Sequence, residues 1–145
     1  MWAHFRVLGL VAAGRDRGSF AFEAEALAKQ IGYLIELVAR SRPDWRLDVA
    51  LTDLASRTPW LWSDLLDPLA ARSPDVTFRM DPERTSGRGY YVDACYKLFA
   101  IDAAGQRIEL ADGGCTTWTR RLISDAKERL VISGLGFERL LWSAA

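Results

Sequence analysis

The residues best suited to chemistry lie in the last third of the chain. Arg88 precedes Tyr90 and Tyr91 at the start of a long alternating segment. A guanidinium there can hold a carboxylate or phosphate through two parallel hydrogen bonds, and the tyrosines offer apolar walls with hydroxyl tips. Gly113 and Gly114 sit between a strand-like and a helix-like stretch, where the missing Cβ serves a tight turn or the close approach of a ligand. Gly136-Phe137-Glu138-Arg139-Leu140 then sets a second guanidinium on the first turns of a terminal helix. Taken singly, each also reads as plain structure: packed aromatics at a strand start, an ordinary turn, a surface arginine.

Other chemistries find little support. One histidine, His4, and two cysteines, Cys95 and Cys115, give neither a metal cluster nor a disulfide framework. The cysteines read as small buried hydrophobes. Lys plus Arg number 19, as do Asp plus Glu, so net charge supplies no footprint for nucleic acid or an acidic membrane. Arg120, Arg121, Lys127 and Arg129 form a local basic cluster that reads as a solvated helix end. No apolar run is long enough to span a bilayer, and the N-terminal run is too short for a secretory signal. A cytoplasmic, single-domain chain over residues 1–145 is expected.

The elements that must position these groups follow from hydrophobic periodicity. Phe5 to Ala12 reads as a buried strand ending at Gly14, with a loop through Gly18. Ser19 is placed to cap a helix carrying Glu23 and Glu25 near its positive end, with Leu27, Ile31, Leu34, Ile35 and Val38 inward and Pro43 as a stop. A half-buried strand is expected from Arg46 to Thr52, and a second amphipathic helix from Trp60 to Leu69. A short strand over Val76–Arg79 interrupts a less patterned link. Tyr90 to Ile101 alternates throughout and turns at Asp102-Ala103-Ala104-Gly105 into a strand over Arg107–Ala111. A helix with Trp118, Leu122 and Ile123, a strand over Arg129–Ser133 and a helix with Phe137, Leu140 and Leu141 inward complete the order. Hairpins with two internal helices predict an α+β domain, an antiparallel sheet with helices packed on one face.

The three groups, in this order, resemble the back half of a class II aminoacyl-tRNA synthetase catalytic core, most closely the histidyl type. In that family an Arg-Gly precedes a Tyr-Tyr, a Gly-Gly precedes a helix, and a Gly-x-Glu-Arg-Leu closes the core as the third motif. The matching residues are Arg88-Gly89 with Tyr90-Tyr91, Gly113-Gly114, and Gly136-Phe137-Glu138-Arg139-Leu140. Phe5 to Gly14 is similar to the returning strand of the second motif, and Phe22 to Leu37 to the helix after it. The resemblance implies Arg88 as the catalytic residue acting on an amino-acid carboxylate, and Arg139, Glu138 and Gly136 as ATP-binding. It implies Tyr90, Tyr91, Gly113 and Gly114 as amino-acid-binding, with ATP and Mg²⁺ as cofactors.

The first motif and the outgoing strand of the second are missing, so the chain is expected to supply a truncated core with an unpaired sheet edge. Where the family has a glutamine and a glutamate facing the substrate amine, this chain has Val7 and Val11. Where the family has Arg-Tyr-Asp after Gly-Gly, it has Cys115-Thr116-Thr117. Such departures imply a degenerate, non-charging paralogue acting as a ligand-binding or regulatory subunit, as the regulatory subunit of ATP phosphoribosyltransferase does. The alternative is an amino-acid-activating, ATP-dependent ligase completed by a partner chain or a homodimer. An unpaired edge calls for a second copy or a protein partner, and Trp2, Trp45, Trp60, Trp62, Trp118 and Trp142 include candidate anchors. Neither membrane nor tRNA is an expected partner for this chain alone.

Overall fold

The computed structural model describes residues 4–56 and 58–141, so Trp2 and Trp142 lie outside the described residues. Strand β1 (Val7–Arg15) alternates as its sequence dictates: Leu8, Leu10 and Ala12 turn toward the core, while Val7 and Val11 face the other way. It runs past Gly14, the expected stop. A Cβ on Gly14 would lie 2.4 Å from the Phe22 ring, so glycine here admits an aromatic neighbour rather than ending the strand.

Helix α1 (Ala21–Ser41) starts differently from expectation. Ser19 does not cap it. Gly18, Ser19 and Phe20 all adopt left-handed backbone, and the Gly18 carbonyl accepts the Ala21 N–H at 3.0 Å. The Asp16 carboxylate accepts the Gly18 N–H at 2.9 Å and stabilises this reversal. Beyond it the apolar stripe holds as expected, with Leu27, Ile31, Leu34 and Val38 fully buried.

The remaining strands are β2 (Arg46–Asp53), β3 (Thr77–Met80), β4 (Val92–Ile101), β5 (Arg107–Thr116) and β6 (Glu128–Gly136). They form one six-stranded sheet in the order β1-β6-β5-β4-β2-β3. Every pairing is antiparallel, as expected, except β2–β3, which is parallel. The parallel pair requires a crossover, which the second helical stretch provides. That stretch is α2 (Thr58–Trp60), a π-helical segment (Leu61–Leu66) and α3 (Asp67–Arg72), with Leu61, Leu65, Leu66 and Leu69 buried. The Asp67 N–H reaches back to the Trp62 carbonyl, and Pro68 beside it has no N–H to offer. Helix α1 and this stretch share one core with the inward residues of the sheet, among them Val49, Leu51, Tyr96, Leu98 and Leu135. The described residues thus build six strands, the number that the sequence pattern set out.

Further expectations are revised. Helix α4 (Trp118–Leu122) is short and ends before Ile123, and Leu122 and Ile123 face outward. In α5 (Phe137–Leu141) Leu140 is buried but Leu141 is exposed. Strand β4 begins at Val92 rather than Tyr90, because residues 87–91 form a turn in which the Gly87 carbonyl accepts the Tyr90 and Tyr91 N–H groups.

Gly113 and Gly114 lie inside β5 rather than in a turn beyond it. A Cβ on Gly113 would stand 2.4 Å from Ser133 Oγ and 2.6 Å from the Tyr96 ring; one on Gly114 would stand 2.8 Å from the Ala94 carbonyl. The space Gly113 leaves is taken by Tyr96, whose hydroxyl meets Ser133 Oγ at 2.5 Å. Ser133 in turn donates to Gln30 Oε1 at 2.6 Å, and Gln30 Nε2 donates to the Val131 carbonyl at 2.9 Å, tying α1 to the centre of the sheet. Gly9, in contrast, has open space where its Cβ would be. We predict that Gly113→Ala costs about 1–3 kcal/mol or more through overpacking, whereas Gly9→Ala is neutral. Urea denaturation midpoints of the two variants check this; equal midpoints would contradict it.

Candidate functional site

The face of the sheet opposite α1 is partly open, and the two edges of that face differ. Toward β2 it is polar: Asp48 takes Arg107 at 2.7 Å and Arg79 at 3.3 Å, and Lys97 pairs with Glu109 at 3.1 Å. Toward β1 it is apolar, with Val7 53% and Val11 70% exposed. Between them runs a groove in two adjoining lobes of about 560 and 550 Å³ that share Val7, Asp112, Gly134 and Gly136. Strand β6 can form its floor because Gly134 and Gly136 carry no side chain above it.

One lobe is walled by Tyr90 and Tyr91. Their rings meet edge to face at 4.9 Å, and Trp118 extends the same arrangement at 5.1 Å from Tyr90. Tyr91 is buried, and burial first, then the charge of Asp112, pushes its hydroxyl well above the ordinary range. The other lobe is bounded by Glu109, Glu138 and Arg139. Arg139 donates to the Glu109 carbonyl at 2.7 Å. Glu138 is clasped by Arg6, accepting its backbone N–H at 2.8 Å and its side-chain Nε at 3.2 Å. That backbone hydrogen bond is the main reason its carboxyl is held below the usual range.

Arg88 does not reach the groove wall. Its guanidinium donates to the carbonyls of Arg84 at 2.5 Å and Pro82 at 3.0 Å, fastening its own loop. Gly113 and Gly114 are likewise off the groove surface, each covered by protein side chains. The sequence reading missed Arg84, which came from the unpatterned link. Its side chain is only 3% exposed and takes both oxygens of Asp112 at 3.0 Å, beneath the Tyr91 ring. Arg84 Nη1 has no hydrogen-bond partner among the described residues. The only available signal was Asp112 immediately before the glycine pair, a carboxylate in a strand that needs a cation.

A nucleotide's fit can be judged from this charge arrangement. The carboxylates of Glu109, Asp112 and Glu138 are each occupied by a cation of the chain, respectively Lys97, Arg84 and Arg6. Arg139 is then the guanidinium on the wall without an ion pair among the described residues. One such charge suits a single anionic group, not a triphosphate. Nor do the described residues include a group of three or more His, Cys, Asp or Glu placed to hold a metal ion. The residues present therefore do not fit ATP with Mg²⁺ as a reacting pair.

No protein-family model matches the sequence, and no curated protein matches it. Solved structures do. The chain superposes on apo histidyl-tRNA synthetase of S. aureus with a TM-score of 0.68 and 19% identity, covering 94% of this chain and 39% of that one. It also superposes on the RNA-binding domain of threonyl-tRNA synthetase from Cryptosporidium parvum Iowa II, with a TM-score of 0.53 and 11% identity over 81% of this chain and 33% of that one. The chain thus has an aminoacyl-tRNA synthetase-like α+β fold and spans about two-fifths of the histidyl enzyme's length. Among the described residues no helix is long and apolar enough to cross a membrane.

The contrast between the two arginines is testable. Removing one partner of a buried pair strands the other charge. We predict that Arg84→Ala lowers stability by on the order of 2–3 kcal/mol, discounted for the partial exposure of Asp112. Arg88→Ala, which loses only bonds to exposed loop carbonyls, should cost less than about 1 kcal/mol. Chemical denaturation of both variants decides; a larger loss at Arg88 would contradict the assignment.

Proposed function

We propose that the chain is a non-charging relative of histidyl-tRNA synthetases, a cytoplasmic subunit that binds a small ligand in the open-face groove and regulates a partner. The observation that carries this reading is the β1 wall. Val7 lines the groove and Val11 is exposed on the same face of β1, at the positions where the resemblance puts the acceptors for an amino-acid substrate's ammonium, and an apolar side chain offers none. With Arg88 fastened to loop carbonyls, the carboxylate of such a substrate also lacks its expected clamp. What the groove does offer is an apolar wall, aromatic rings and the single unpaired guanidinium of Arg139. That combination favours a ligand with a flat apolar body and one anionic group, of which AMP is an example. The exposed β1 edge, whose backbone pairs only with β6, is the natural place for a second copy or a protein partner.

A second reading, an ATP-dependent amino-acid-activating ligase completed by another chain, draws on the fact that neither Arg88 nor Arg139 pairs with a carboxylate among the described residues. A partner strand on β1 could then add the missing groups.

Thermal stabilisation across ATP, AMP and the twenty amino acids with Mg²⁺, paired with pyrophosphate exchange, separates them. Near saturation AMP should raise Tm by several degrees, Arg139→Ala should abolish the shift, and exchange should stay at background. Exchange above background would establish the ligase reading, and no shift with any ligand would remove the groove as a binding site.

A further inference from the structure

A second cavity, of about 290 Å³, lies at the other end of the same strands, where β1 hands over to α1. It has no lining residue in common with the groove. Asp16, Glu23, Asp93 and Glu128 place four carboxylates on its wall, against the guanidiniums of Arg120 and Arg129. Arg129, expected on a solvated helix end, turns inward instead. It is fully engaged, with Glu23 Oε1 at 2.9 Å, Asp16 at 3.2 Å and the carbonyls of Ala126 and Glu128. Glu128 is in turn held by Arg15 at 3.0 Å.

Three acceptors are left over. Glu23 has a side chain only 2% exposed, yet its Oε2 has no hydrogen-bond partner among the described residues. Thr116 is 5% exposed, and its Oγ1 likewise has no hydrogen-bond partner among the described residues. The Asp93 carboxylate, on the bulge of β4, makes no hydrogen bond or ion pair among the described residues. A buried carboxylate oxygen with no donor is costly, so native structures almost always supply one. The backbone around these groups is also unusual. Ser19, Phe20 and Asp93, all on the wall, adopt the left-handed conformation that non-glycine residues rarely hold.

The missing complement is a positively charged donor. A primary ammonium carries one charge and three N–H groups, which matches three unpaired acceptors and the excess of carboxylates. A metal ion is a poorer match, because no group of three or more His, Cys, Asp or Glu among the described residues is placed to ligate one. The volume is at the small end for ligand sites and admits a molecule of several heavy atoms. We propose that this cavity binds the primary ammonium group of a small organic amine, held by Glu23, Asp93 and Thr116.

The test is calorimetric titration of ethanolamine and 1,4-diaminobutane into the full chain, with tetramethylammonium as a cation lacking N–H donors. Saturable binding of the primary amines, and none of tetramethylammonium, is expected. Asp93→Asn should weaken that binding about tenfold, since a hydrogen bond to a charged group is lost. Asparagine tolerates left-handed backbone, so this variant keeps the fold. Thr116→Val provides a second, independent loss of affinity, while Arg139→Ala in the groove should leave amine binding unchanged. No saturable binding, equal binding of tetramethylammonium, unchanged affinity in both cavity variants, or loss of amine binding in Arg139→Ala would each overturn the proposal.

Discussion

The close approach of β4, β5 and β6 at the two glycines of β5 is the constraint on which the rest of the structure depends. Tyr96 occupies the space a Gly113 side chain would need, and its hydroxyl begins the chain of hydrogen bonds through Ser133 to Gln30. Each group in that chain is buried and each has a partner, so the polar network fixes register rather than costing stability. Fixing β5 against β6 also sets Asp112 opposite Gly134, which opens the groove, and Thr116 opposite Leu130, which closes the second cavity. Both candidate sites are thus consequences of one packing decision at the sheet centre.

Electrostatics then divides the open face. A neutral chain by formal charge, it nonetheless separates a salt-bridged polar edge at β2 from an apolar edge at β1. Most of its exposed ion pairs contribute little to stability individually. The pair between Arg84 and Asp112 differs, because the guanidinium is buried and the loop over residues 81–91 hangs on it. That loop carries Tyr90 and Tyr91 to the groove and keeps Arg88 away from it.

Much of this was legible in the sequence where periodicity was strong. The stripe from Leu27 to Val38, the β4–β5 hairpin and the class of fold follow directly from spacing, and the synthetase-like architecture agrees with the order of Arg-Gly-Tyr-Tyr, Gly-Gly and Gly-x-Glu-Arg-Leu. What was not legible had tertiary causes. Glycines 113, 114, 134 and 136 look like turn residues in one dimension, but three-dimensional crowding and the groove floor place them inside strands. Ser19 has the chemistry of a cap, but the reversal from β1 into α1 forces it into left-handed backbone. Arg84 lay in a stretch without pattern, and only the pairing of Asp112 with it reveals its role.

The central claim is that the β1 wall of the groove lacks the acceptors needed to hold an amino-acid ammonium. Calorimetric titration of histidine into the wild-type chain and into the Val7→Gln/Val11→Glu double variant tests it most directly. The account predicts negligible heat from the wild type and a gain of at least about tenfold in affinity in the variant, the scale of one charge-assisted hydrogen bond. Wild-type binding as tight as the variant's would contradict it, because the ammonium would then have acceptors elsewhere in the groove.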